Sequence, residues 1–128
     1  MEYSFTKKLS LSFEEALVSV KEALAKEGYG ILTEIDFAET LKKRLGVTHD
    51  KYVILGACNP EFAYGAIQAE KEIGLFLPCN IIVYNDEGIV HVSAIRPTVA
   101  MGMIQNKELS GIAEKAEKKL SSVLSDIK

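Results

Sequence analysis

Apolar and polar residues alternate at the start of the chain: Tyr3, Phe5 and Leu9 fall on one side and Ser4, Thr6 and Lys8 on the other, the period of a half-buried strand over residues 3–9. The period then changes. Phe13, Ala16, Leu17, Val20 and Leu24 recur at helical spacing behind a Ser-x-x-Glu capping box formed by Ser12 and Glu15, and Gly28 offers a left-handed stop. Alternation returns from Gly30 to Ile35 and predicts Ile31, Thr33 and Ile35 on one face. Asp36-Phe37-Ala38-Glu39 then repeats the capping logic ahead of Leu41, Leu45 and Gly46, which gives a second strand and a short second helix.

Tyr52 to Ala57 is almost wholly apolar, so it predicts a central strand, and Gly56 within it predicts a close approach of backbone or partner. Asn59 as N-cap and Pro60 at the first helical position open a helix expected to reach about Glu72, with Gly74 as its stop. Residues 79–84 and 89–95 flank the polar run Asn85-Asp86-Glu87-Gly88 and predict an antiparallel hairpin in which Tyr84 faces Ile89. That register groups Cys79, Ile81, Val83, Val90, Val92 and Ala94 on a core face, and Asn80, Ile82, Tyr84, Ile89, His91 and Ser93 on a mixed face. Arg96-Pro97 ends the hairpin. Thr98 to Gln105 is open to two outcomes, a helical turn or a flap. Asn106 caps a last helix whose stripe is Leu109, Ile112, Ala116, Leu120, Val123 and Ile127.

At 128 residues, 48% of them hydrophobic, the chain is expected to be one domain, residues 1–128, with a core large enough to fold without disulfides or metals. Its net charge of −3, with Lys and Glu interleaved, leaves no basic stripe for phosphates and argues against a nucleic-acid partner. The start, Met1-Glu2-Tyr3-Ser4, has no basic n-region followed by an apolar run, and no apolar stretch approaches the roughly 18–20 residues of a membrane span. With two cysteines, too few for a secreted disulfide framework, the chain is expected in the cytoplasm with free thiols and no membrane association.

Candidate chemistry gathers where both cysteines lie, in Cys58-Asn59-Pro60 and Leu77-Pro78-Cys79-Asn80. Cys58 precedes a helix N-terminus, where free N–H groups and the helix dipole favour a thiolate; equally, cysteine at a strand end behaves as a small buried hydrophobe. The two cysteines meet if the strands that carry them are antiparallel neighbours. They fall roughly 17–20 Å apart if the intervening helix makes a parallel crossover. His91 stands alone among Asn80, Ile82, Tyr84 and Ser93, and His49 sits in a polar turn. Neither has the company of a metal ligand. Met101 and Met103 could supply soft thioethers or fill gaps in the core, and Glu61 suits a first helical turn through the dipole alone. There is no phosphate-binding Gly-rich loop, no His-Glu-x-x-His and no pair of Cys-x-x-Cys, so no metal site, cofactor or catalytic residue is specified.

Ile54-Leu55-Gly56-Ala57-Cys58-Asn59-Pro60, Ile73-Gly74-Leu75-Phe76-Leu77-Pro78-Cys79-Asn80 and Val92-Ser93-Ala94-Ile95-Arg96-Pro97 together resemble the domain-of-unknown-function family 302, also called TT1751-like. Asp36-Phe37 and the Leu41 to Val47 helix end fit the same pattern. The resemblance implies an α+β two-layer sandwich of TATA-binding-protein-like type, with a largely antiparallel sheet of about five strands, and it implies a homodimer. It carries no agreed activity. A proline of the family pattern is replaced here by Glu61, which touches only a helix start.

Three functional expectations follow. One is a homodimeric small-molecule-binding or interaction module with a pocket lined by Cys58, Asn59, Pro60, Pro78, Cys79 and Asn80. Another is thiol chemistry, with Cys58 as nucleophile and Cys79 as resolving partner, or a soft-metal site on both thiols with Met101 or Met103. The third concerns association: Ile82, Tyr84 and Ile89 beside His91 form an apolar patch that a second copy, or the Pro60 to Glu72 helix of the same chain, would cover.

Overall fold

Consecutive strands from the second to the fifth are sheet neighbours, joined by helical connections except for one tight hairpin turn, and the first strand closes the far edge beside the last. The computed structural model describes residues 2–127. Strands β1 (Ser4–Leu9), β2 (Gly30–Asp36), β3 (Tyr52–Cys58), β4 (Cys79–Asp86) and β5 (Ile89–Ile95) form one sheet in the order β1-β5-β4-β3-β2. Every adjacent pair is antiparallel. Helices α1 (Phe13–Lys26) and α5 (Lys107–Asp126) pack on one face, while α2 (Phe37–Leu45), α3 (Pro60–Ala69), a 3-10 segment (Lys71–Phe76) and the one-turn α4 (Pro97–Ala100) occupy connections. The expected α+β sandwich is therefore present. Met1, the first residue of the start considered above for a leader, lies outside the described residues, as does Lys128.

The helix ends obey local chemistry. The Ser12 N–H donates to Glu15 and the Glu15 N–H donates back to Ser12 Oγ, satisfying two orphan donors of α1. Asp36 caps α2 and Asn59 caps α3 through their side-chain oxygens, and Gly46 closes α2 at φ +68°. Asn106 accepts from the Leu109 N–H at 3.1 Å and donates to Ala69 O at 2.9 Å, so one side chain ties the start of α5 to the end of α3. The expected continuation of α3 to Glu72 does not occur. Glu70 turns extended, and the following 3-10 segment tucks Ile73 into a small core with Ala66, Met101, Leu109 and Ala113; burying that side chain outweighs continuing the helix.

The main core lies between the sheet and α1 and α5. Val53, Leu55 and Ala57 of β3, Ile81 and Val83 of β4, and Val90, Val92 and Ala94 of β5 meet Val20 and Leu24 of α1 and Leu120 and Val123 of α5. Burial of each large side chain contributes about 1.5–3 kcal/mol. Tyr3, expected to share a face with Phe5 and Leu9, lies before β1 and is 64% exposed.

Two details of the sheet differ from the expectation. Tyr84 pairs with His91, not Ile89, because both strands continue to Asp86 and Ile89 and the turn is only Glu87-Gly88, each at positive φ. That is the tight hairpin geometry whose twist matches the strands. The shift is of two residues, so the core and mixed faces are unchanged. In β2 a bulge between Ile31 and Thr33 splits the predicted face: Ile31 stands opposite Ala57 and packs on the core, while Ile35 stands opposite Ile54 and is 43% exposed. β3 is interior but not central, since β4 holds the middle of the sheet.

Candidate functional site

β3 and β4 are antiparallel neighbours, and Ala57 stands opposite Cys79. The ends that carry the two cysteines therefore lie together, one residue out of register. Ala57 and Cys79 point to the helix side; alternation starts the Cys58 side chain from the other side, so Cys58 meets the site where β3 ends and α3 begins. Both thiols are free and half-buried.

Two concavities adjoin here. A cavity of about 30 Å³ under α3 and α5 is bordered by Cys58, Asn59 and Cys79 together with Tyr29, Phe62 and Ala116. An outer groove of about 210 Å³ is bordered by Pro78, Cys79 and Asn80 together with Phe76, Ile95 and Ala100. Leu77, Cys79, Pro97 and Met101 border both and form the wall between them. The predicted set is thus divided: Cys58 and Asn59 belong to the cavity, Pro78 and Asn80 to the groove, and Cys79 to both. Pro60 borders neither. It starts α3, after the Asn59 cap. The Leu77–Pro78 peptide is cis. Tyr29, Pro97 and Met101 had no place in the predicted pocket because they come from segments distant in sequence, Tyr29 ahead of β2 and Pro97 and Met101 in the α4 turn; Leu77 adjoins the predicted Pro78, and Met101 gave a signal only as a candidate soft donor.

Burial dominates the electrostatics of the cavity. It pushes the Cys58 thiol up, and it pushes Cys79 up to about 11, with the neighbouring Cys58 adding to the shift. The N-terminus of α3 does not reverse this, so the electrostatics lend no support to Cys58 as a low-pKa nucleophile. The Tyr29 phenol is likewise raised by burial, then by Cys79 and Cys58, and its hydroxyl donates to Ala116 O at 3.2 Å.

The segment after β5 is held from below. Glu117 of α5 accepts from the Thr98 N–H at 3.0 Å, from the Thr98 hydroxyl at 2.5 Å, and from Arg96 Nη2 at 3.1 Å, while the Arg96 guanidinium lies over the Phe5 ring. Burial pulls the Glu117 carboxyl up, yet the Thr98 and Arg96 bonds outweigh it and hold the group below its ordinary value. Residues 98–105, open to two outcomes in the sequence, form the rest of α4 and then turns, with Pro97 and Met101 presented to both concavities.

The sheet face away from α1 and α5 carries Ile54, Ile82 and an aromatic row. His91 stacks on Tyr84 (4.9 Å, 6°), Tyr84 on Tyr52 (5.6 Å, 26°), and Phe37 of α2 tilts against Tyr52 at 6.3 Å. His91 is 9% exposed and its Nδ1 lies 3.1 Å from Ile89 O, while His49 meets the edge of Tyr52. Helix α3 packs against α5 rather than across this face, so the alternative of an intrachain cover by that helix is not realised. Met103 is 77% exposed, and Glu61 lies exposed in the first turn of α3. Among the described residues no helix is long and apolar enough to cross a membrane.

Comparison with curated proteins finds no match. Among solved structures, the crystal structure of an uncharacterized conserved protein, DUF302, from Bacillus stearothermophilus superimposes with a TM-score of 0.94 at 29% identity, covering all of both chains. The sequence profile of the domain of unknown function DUF302 matches residues 5–127, and the chain belongs to that family.

Proposed function

We propose that this protein is a homodimeric module that binds a small apolar molecule beside Cys79. The observation that carries this is the shared wall: Leu77, Cys79, Pro97 and Met101 separate a groove of about 210 Å³ from a smaller cavity of about 30 Å³. The groove alone lies below the ~300 Å³ at which ligand pockets commonly begin. A ligand fits by seating in the groove and displacing the adaptable Met101 side chain toward the cavity, with the Asn80 amide at the rim as its polar contact. A thermal-shift screen of small apolar metabolites tests this. Binders should raise Tm in the wild type and in Cys58→Ser, and lose their effect in Ala100→Phe, which fills the groove. A library without any binder, or binders indifferent to Ala100→Phe, would overturn it.

The second copy is proposed to cover the aromatic face. On this face Ile89 is 43% exposed and Ile54, Ile82 and Tyr84 are half-buried, an apolar patch that a partner would cover, and two-fold self-association is the commonest way to bury it. Sedimentation at micromolar concentration should show a dimer, which Tyr84→Lys or Ile82→Asp breaks with the fold retained. A monomer under these conditions would refute this part. The free thiols fit a reducing, cytoplasmic setting.

A further inference from the structure

Four sulfur-bearing side chains stand among the described residues, and three of them, Cys58, Cys79 and Met101, border one cavity. The fourth, Met103, is out in solvent. A space of about 30 Å³ suits an ion rather than an organic molecule. The other polar groups around it are already engaged: the Tyr29 hydroxyl donates to Ala116 O, and the Asn59 side chain caps α3 and donates to Glu27 O. No cluster of three or more His, Cys, Asp or Glu side chains placed to hold a metal occurs among the described residues. A four-coordinate zinc site would therefore lack donors, whereas two thiolates and a thioether are the donor set of a soft monovalent ion.

We propose that Cys58, Cys79 and Met101 form a binding site for a cuprous ion. Binding exchanges two S–H bonds for two copper–thiolate bonds, adds a dative bond from the Met101 thioether, releases both protons to solvent and changes no oxidation state. The raised thiols set a proton-competition cost on binding, so affinity should rise with pH, and coordination meets that cost by displacing both protons. The resulting centre carries a single net negative charge next to the N-terminus of α3, where the helix dipole favours an anion. An ion also tolerates the offset of the two cysteines, since two metal–sulfur bonds of ~2.3 Å each span far more than the ~2.05 Å of a disulfide.

The test uses the reduced whole chain under anaerobic conditions with a chromogenic Cu(I) chelator as competitor. The wild type should withdraw one equivalent of copper, develop the near-ultraviolet absorption of a copper thiolate and gain thermal stability. Cys58→Ser and Cys79→Ser should each lose more than the about tenfold in affinity typical of disturbing a ligand's supporting shell; Met101→Leu should lose less and Met103→Leu nothing. A wild type that neither takes copper from the chelator nor gains Tm with Cu(I) overturns the proposal, and so does a folded Cys79→Ser that binds as the wild type does. If a serine variant fails to fold, the wild-type stability gain and the Met101→Leu comparison decide. Cys58→Ser should keep organic-ligand binding in the groove while losing copper, so this site and the groove can fail separately.

Discussion

Gly56→Ala places a methyl group where the sheet has no room for one. Gly56 lies on β3 between Thr33 of β2 and Asn80 of β4, and its φ is not in the left-handed region, so the penalty is steric alone. A Cβ there would stand 2.8 Å from Pro78 Cγ and closer still to Thr33 Oγ1, nearer than real Cβ contacts come. Neither neighbour yields easily, one being a ring and the other a stiff β-branched side chain. Overpacking of this kind costs about 1–3 kcal/mol, while replacing glycine by alanine gains about 0.4–1 kcal/mol by restricting the unfolded chain. The net expectation is a loss of about 0.5–2 kcal/mol, or several degrees in Tm for a chain of this length. Urea unfolding at neutral pH measures it. In a Thr33→Ala background the nearer clash disappears and only Pro78 remains, so the two substitutions should couple by about 0.5 kcal/mol or more. A Gly56→Ala protein as stable as the wild type, or one whose loss is the same with alanine at position 33, would refute the reasoning.

Glu117→Gln should cost about 1–2 kcal/mol at pH 7 through loss of charge-assisted bonds to Arg96 and Thr98. Because the folded carboxyl is held below its ordinary value of 4.5, its stabilisation is present above that value and is lost as pH falls through the lower folded one. The urea midpoint of the variant, followed from pH 7 to acid, should show a shallower decline below pH 4.5 than the wild type, and an identical decline would contradict the assignment. Leu120→Ala, at a side chain with no exposed surface, should lose about 2–5 kcal/mol, and a loss under about 1 kcal/mol in urea melts would mean that the core collapses around it. Iodoacetamide at pH 8 should modify Cys58 before Cys79, since a thiol at about 11 is thiolate in only about one molecule in a thousand at that pH. Peptide mapping that finds Cys79 labelled as quickly as Cys58 would count against the enclosure described.

What could be read from the chain is what depends on residues a few positions apart. The Ser12–Glu15 box and the Asp36, Asn59 and Asn106 caps were legible because each bond closes within three residues. The two faces of the β4–β5 hairpin were legible because alternation survives a two-residue register error. The bulge at Ile31/Thr33 was not, since it answers to the partner strand, and neither was the end of α3, which is decided by where Ile73 must be buried. Gly56 announced a close approach without saying to what. At the cysteines the sequence left two topologies open, and only the family resemblance favoured the antiparallel one. Sheet pairing brings the ends of β3 and β4 together, and then Tyr29, Pro97 and Met101 arrive from distant segments to divide the predicted residues between a groove and a cavity. That division depends on packing between elements far apart in the chain, to which no local pattern of apolar and polar residues refers.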